Sequence, residues 1–491
     1  MTNNNAQLAQ KTARNTVWSY AATYGGKALV FISTIILGNL LTKQDFGVVG
    51  IALTVIAFLE VMQDLGIGAA LIYHRDETAA HSAFWQGLVI ASTLFTATWF
   101  GAPAIAAFMS SPNQPQPASV VPIIRALGLS FPLFALRNIH DALLRKNLQF
   151  KKRFIPDLTQ VLAKGGIAIT LATLNFGPWS LVWGQLGGSA LSVVAFWFVN
   201  PWRPRWQFNR AVSRALLSYG TTIVSVNLLS VVLARIDYIF VGRYLSTEAL
   251  GIYTMAFQIP DLLVMQFCVV ISSVMFPMYT RLQDDPQGMQ TSFLTTLRFV
   301  TLVTVPLALG TALVAEPFVL SLLTAKWAEA IPVMRAIAIY TLFLSLSFNV
   351  GDVYKAQGRP GILTKLSLVR VAILVPALWW ATTRGSIVTV GWTHAVVALI
   401  GTIINLIFAT RLLKLSFGSL FDAMRPALLT SAVMAIAVLT TLVALRGTPS
   451  WVQLITAIVV GIGSYGGTLW WTQREIVDQA SQTLFGAFAR R

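Results

Sequence analysis

The sequence predicts an all-α polytopic membrane protein of about 14 transmembrane helices, built as two parallel-repeat six-helix lobes plus two C-terminal helices. Three observations predict it. Apolar residues make up 56% of the 491 and charged residues 11%, with a mean hydropathy of +0.69, where a soluble domain carries roughly a quarter charged residues. Fourteen mostly apolar runs reach the roughly 20 residues needed to cross a hydrocarbon core. The stretch GNLLTKQDFGVVGIA from Gly38 returns as GRYLSTEALGIYTMA from Gly242, a constant offset of 204 residues. That register sets Gly38, Leu41, Thr42, Gly47 and Ala52 opposite Gly242, Leu245, Ser246, Gly251 and Ala256.

In chain order, the opening MTNNNAQLAQKTARNT is polar and shows no small-residue cleavage pattern, so no removable signal peptide is read there. The spans follow at about 17–38, 46–70, 83–108, 120–142, 154–174 and 178–199. A basic segment with two prolines, NPWRPRWQFNRAVS at 200–213, reads as a lobe-to-lobe linker. The second set falls at 214–241, 247–275, 292–315, 331–351, 361–382 and 386–410, and two further spans at 425–445 and 451–471 have no partner in the first half. The expected organisation is therefore an N-terminal lobe 1–199, the cytoplasmic linker 200–213, a C-terminal lobe 214–411, and 412–491 as two added helices with a cytoplasmic tail. The fourth span carries Arg125, Arg137, His140 and Asp141 and the seventh Arg235 and Asp237, which makes these two the least apolar.

Loop charges orient the chain. With both termini cytoplasmic, 21 loop cations fall inside and five outside, the five being Lys43, Arg243, Lys326, Arg384 and Arg446. Six spans per half is an even number, so both copies enter the membrane in the same direction and the repeats are parallel. PIIRA at Pro122 meets PVMRA at Pro332, so Arg125 and Arg335 occupy equivalent places. The net charge of +17 reads as topology and attraction to an anionic leaflet, with no nucleic-acid partner.

Charges inside spans cost about 2.5–3.5 kcal/mol each on insertion scales, so they face cavities or one another. The spans hold Lys27, Arg125, Arg137, Lys164, Arg235, Arg298, Arg335, Lys365 and Arg370 against Glu60, Asp64, Asp141, Asp237 and Asp261, an excess suited to an anionic ligand. Lys27 lies on a stripe with Tyr20, Tyr24, Thr34 and Gly38, and the seventh span carries Gly220, Asn227, Ser230, Ala234 and Asp237 at the same spacing. Either stripe serves a cavity or a helix-packing face. The substrate-facing candidates are Lys27, Tyr24, Asn227, Asp237, Arg235, Lys164 and Arg370, with Lys164 and Arg370 read at matching depth in the fifth and eleventh spans. Glu60 and Asp64, at i and i+4, are candidates for carrying a coupling ion or for locking a gate by pairing. Arg125 and Arg335 are candidates for pairing across an outer gate. Four scattered histidines (74, 81, 140, 394), the single Cys268, and the absence of a phosphate-loop or G-x-S-x-G motif predict no metal, cofactor or catalytic group. Asp284 and Asp285 in QDDPQ read as a solvated loop.

Several blocks together resemble one family: GNLLTKQDFG; DLGIGAALI from Asp64; LLRKNLQFKKR from Leu143; FPMYTRLQDD from Phe276; AKWAEAIPVMRAI from Ala325; and YKAQGRPG from Tyr354. They cover most of 12–411 and resemble the polysaccharide-transporter (Wzx-type flippase) branch of the multidrug/oligosaccharidyl-lipid/polysaccharide exporter superfamily, close to the colanic-acid-exporter type. The resemblance implies a non-enzymatic flippase in a bacterial inner membrane. Its substrate would be an undecaprenyl-pyrophosphate-linked oligosaccharide, moved from inner to outer leaflet by alternating access of two lobes around a cationic cavity. A polymerase and co-polymerase of the same pathway are the implied partners. The alternatives are a multidrug exporter on the same fold, which would favour a smaller acidic or aromatic site, and a polysaccharide polymerase or ligase, which would want a large outside loop.

Overall fold

The computed structural model describes residues 25–63, 77–110, 117–147 and 149–474, so Tyr24 and Asp64 lie outside the described residues. Among these residues fourteen long helical segments follow one another with no strand. They are α1 (Gly25–Leu40), α2 (Lys43–Gln63), α3 (Glu77–Met109), α4 (Val120–Lys146), α5 (Phe150–Thr173), α6 (Pro178–Val199) and α7 (Arg210–Tyr244). Then come α8 (Thr247–Arg281), α9 (Pro286–Leu323), α10 (Ala330–Ala356), α11 (Pro360–Thr383), α12 (Ile387–Leu413), α13 (Phe417–Ala444) and α14 (Ser450–Thr472). Each of the fourteen expected spans has its helix. Eleven are long and apolar enough to cross a membrane. Of the other three, α1 is described only from Gly25, and α5 and α7 are diluted by charged and small polar residues.

Capping chemistry moves several boundaries from where hydropathy puts them. α9 begins at Pro286 and not at 292, because the Asp285 carboxylate caps it, accepting from Gly288 N at 2.9 Å, with proline at the first helical position. Asp284 and Asp285 are exposed in the short turn, as expected, and the turn ends in the cap of α9. α13 begins at Phe417 and not at 425: Lys414 turns left-handed (φ 52°) to end α12, and Ser416 Oγ accepts from Ser419 N at 3.0 Å to start the next helix. Two π-helical turns, Asp261–Met265 after Pro260 and Val319–Leu323 after Pro317, widen α8 and α9 where a proline has removed an N–H from the helical ladder.

The chain forms two compact units that meet in sequence at Thr254 and Met255, within α8. In the first, α5 lies along α6, α2 packs on α4 and α7, and α3 packs on α4 and α7. Ile51, Ala52, Ile123, Ile124, Val241, Leu250 and Tyr253 are all fully buried there. Residues 200–209, expected as a linker, belong to this unit and are bonded to α3. In the second unit α10 packs on α12 and α9, and α13 lies along α9 and pairs with α14. Tyr465 Oη on α14 donates to the carbonyl of Leu302 on α9 at 2.6 Å, so the last two helices are built into this unit.

Candidate functional site

The two copies of the repeat meet each other. Each begins its helix with a hydroxyl cap: Thr42 Oγ1 accepts from Asp45 N at 3.2 Å, and Ser246 Oγ accepts from Ala249 N at 2.9 Å. α2 and α8 then cross at their N-terminal turns with no room for side chains. A Cβ on Gly47 would run into the carbonyl of Thr247, and one on Gly251 would run into the carbonyl of Lys43. These are reciprocal contacts, since Lys43 and Thr247 are themselves 204 residues apart. A Cβ on Gly50 would stand 3.2 Å from Oγ1 of its own repeat equivalent, Thr254. Close approach of small residues is how helices associate where no hydrophobic drive exists. Lys43 Nζ adds an ion pair to Glu248 at 3.4 Å, and Arg243 on α7 donates to the carbonyl of Phe108. This crossing draws α7 and the start of α8 into the first unit.

Arg125 and Arg335 do equivalent mechanical work with different chemistry. Arg125 Nε donates to the carbonyl of Trp99 at 2.9 Å and its guanidinium lies 5.3 Å from that ring, tying α4 to α3. Arg335 pairs with Glu316 at 3.0 Å, tying α10 to α9.

The acids described within the spans are mostly committed. Asp141 pairs with Arg145 and, at 2.5 Å, with Arg153, which also meets Asp157 at 3.6 Å. Asp352, 3% exposed, accepts from Ser272 Oγ and pairs with Lys355 at 3.2 Å. At the offset of 210 that matches Arg125 with Arg335, Arg145 meets Lys355, while Asp141 falls opposite Gly351, one position before Asp352. Asp237 is 1% exposed and accepts from Tyr253 Oη at 2.7 Å, so it serves as an internal acceptor between α7 and α8, not as a cavity wall.

Several cations are not committed in this way. Among the described residues Lys27, half-buried in α1, has no hydrogen bond or ion pair, nor has Lys164 on α5. Arg235 lies 4.9 Å from the Tyr238 ring and meets no carboxylate directly. Arg370 reaches only the Tyr340 hydroxyl at 3.5 Å and lines a shallow groove between α11 and α12, with Asn405 and aliphatic side chains around it. Lys164 is fixed by the α5–α6 seam, where a Cβ on Gly184 would sit 2.8 Å from the Lys164 carbonyl oxygen and one on Gly188 2.8 Å from Lys164 Cβ. Matching depth does not hold for the pair: Lys164 stands nine residues before the end of α5 and Arg370 thirteen before the end of α11, about one helical turn apart. Arg137, absent from the expected site, lies with Arg235 within electrostatic reach of Glu60, and its Nη1 donates to Gln160 Oε1 at 2.8 Å. Asn227 is half-buried on α7.

A family model described as polysaccharide biosynthesis protein matches residues 36–332, more than half of the chain. The chain belongs to this family. Among curated relatives, the teichuronic acid biosynthesis protein TuaB of Bacillus subtilis is 27% identical over 86% of this chain and 87% of its own length. The succinoglycan biosynthesis transport protein ExoT of Rhizobium meliloti is 26% identical over 77% of this chain and 76% of its own. The lipopolysaccharide biosynthesis protein WzxC of Escherichia coli is 23% identical over 81% and 80%. Among solved structures, an inward closed form of the lipid II flippase MurJ aligns with a TM-score of 0.77 at 15% identity, covering 94% of this chain and all of that one. An inward-facing MATE transporter aligns with a TM-score of 0.64 at 16% identity, covering 79% and 94%. The likeness to these structures confirms the all-helical fold.

Proposed function

We propose that this protein is a flippase that carries a polyprenyl-diphosphate-linked oligosaccharide across a bacterial inner membrane for assembly of an extracellular polysaccharide. The termini are cytoplasmic, and the two six-helix repeats form lobes that alternate access to a cavity between them. One observation carries the reading. Among the described residues, Lys27, Lys164, Arg235 and Arg370 have no carboxylate partner, while the span aspartates Asp141, Asp237 and Asp352 are bonded. Intramembrane charge without a counter-charge is expensive and marks a ligand path. A diphosphate supplies the missing anion, and arginine and lysine are the donors suited to it. A glycan cannot cross hydrocarbon unaided, since its hydroxyls would lose their hydrogen bonds, whereas a polyprenyl tail is at home there. Family membership and relatives named for teichuronic acid, succinoglycan and lipopolysaccharide biosynthesis support an envelope or exopolysaccharide substrate. The reciprocal Gly47–Gly251 crossing acts in this reading as a closed outer gate, and no chemical step falls to the protein itself. A polymerase acting at the outer face would take the product.

The test is a deletion strain assayed for the leaflet in which lipid-linked oligosaccharide accumulates. Build-up on the inner leaflet with unchanged drug sensitivity supports the flippase. Altered drug resistance with normal polymer would replace it with a multidrug exporter.

A further inference from the structure

The segment between α6 and α7 forms no helix, yet it is clamped along its length to one face of α3. Arg205 N donates to His81 Nδ1 at 3.0 Å, Asn209 N donates to Ser82 Oγ at 2.9 Å, and Trp85 Nε1 donates to the carbonyl of Arg205 at 2.9 Å. The Trp202 ring stacks on His81 with centroids 5.2 Å apart and meets Phe84 at 5.9 Å and His140 at 5.4 Å. Arg203 donates to the carbonyls of Asn200 and Trp202 and lies 5.3 Å from the Trp197 ring. Those residues hold the strap.

Its outer side is a different surface. Trp206 stands edge-on to Trp85 at 4.2 Å and is still 85% exposed, and Phe208 is 58% exposed. Arg205 and Arg210, on either side of them in sequence, are exposed and donate no side-chain hydrogen bond to another described residue. The strap joins two helices read as spanning the membrane, so it lies at a bilayer surface. Large aromatic rings without polar partners settle at headgroup level. Arginine forks take phosphate in pairs of hydrogen bonds.

We propose that the clamped strap is a binding site for anionic phospholipid headgroups, with Arg205 and Arg210 on the phosphates and Trp206 and Phe208 among the glycerol and upper acyl groups. Charge complementarity decides the occupant: two unspent cations beside two exposed rings fit a negatively charged leaflet, whose attraction for arginine is electrostatic and screened by salt. The site does not depend on which lipid the protein transports.

The experiment compares melting temperatures of the full chain in phosphatidylcholine nanodiscs with and without phosphatidylglycerol, at low and high salt. Wild type gains stability from phosphatidylglycerol, and the gain shrinks in high salt. The double variant R205Q/R210Q melts like wild type in phosphatidylcholine, because main-chain atoms of Arg205 make the clamp, but loses the gain. The variant W206A/F208A loses stability in both lipids and keeps the response to phosphatidylglycerol. No gain in wild type, or an equal gain in R205Q/R210Q, overturns the proposal. Loss of polymer export in R205Q/R210Q while its gain from phosphatidylglycerol is intact assigns the surface to a protein partner and overturns it as well.

Discussion

Replacing Gly47 or Gly251 with alanine tests whether the reciprocal crossing is one arrangement of a moving element. Each substitution drives a methyl group into a carbonyl oxygen of the other helix, Thr247 in one case and Lys43 in the other. Neither obstacle is the flexible end of a side chain, so the helices must separate. Overpacking of this kind costs about 1–3 kcal/mol, and at 1.4 kcal/mol per factor of ten the crossed arrangement loses roughly 5- to 150-fold in population. The chain suits a thiol-labelling assay, since its one cysteine, Cys268, is buried. Ile51, fully buried and in contact range of Gly242, is the reporter position as Ile51→Cys. In the Gly47→Ala or Gly251→Ala background its labelling by a membrane-impermeant maleimide rises at least about fivefold, the low end of that range. The double glycine variant gives less than the product of the two single effects, because both relieve one contact surface. Unchanged labelling in protein of normal abundance would refute a crossing that opens.

Three further outcomes are expected. Lys27→Ala abolishes polymer export at normal protein level while Lys27→Arg retains part of it, measured by complementation of a deletion strain; full export in Lys27→Ala removes that residue from the ligand path. Arg335→Ala lowers stability by only about 0–1 kcal/mol, because its pair with Glu316 is 45% and 58% exposed. Asp352→Ala, which strips partners from Ser272 and Lys355 at a buried position, costs about 1–3 kcal/mol; thermal unfolding in detergent ranks the two. Gly184→Leu and Gly188→Leu break the α5–α6 seam, where even a Cβ would approach backbone to 2.8 Å, and lower membrane accumulation of the protein; accumulation at the wild-type level would show that the seam yields.

Helix number and order were legible because a spanning segment must be apolar along its whole length, a signal that no local preference overrides. The ends were less legible because hydropathy is blind to them. Asp285–Pro286 and Ser416 are capping signals standing outside the apolar runs they start, and a hydropathy window discards them. The boundary between units was illegible for a related reason. NPWRPRWQFN has the composition of a free linker, yet its Trp202 finds an aromatic socket formed by His81, Phe84 and His140, residues 60 or more positions away.

Site residues divide along the repeat. Features present in both copies proved to be scaffold: Gly47 and Gly251 at the crossing, Thr42 and Ser246 as caps, Arg125 and Arg335 as ties to the preceding helix, and Arg145 and Lys355 in ion pairs. Duplication preserves what each half needs to fold by itself. The cations without carboxylate partners break the pattern. At the repeat offset of 204, Lys27 falls opposite Val231, Arg235 opposite Phe31 and Glu60 opposite Val264. A charge placed in hydrocarbon by only one of two similar helices adds nothing that the other half needs for packing, and its cost has to be offset by a ligand. Asp237, opposite Ser33, also stands alone in the repeat and is bonded to Tyr253, so asymmetry by itself does not select a site residue. Asymmetry combined with the lack of a carboxylate partner is the criterion behind the proposed ligand path, and Lys27 and Arg235 meet both parts of it.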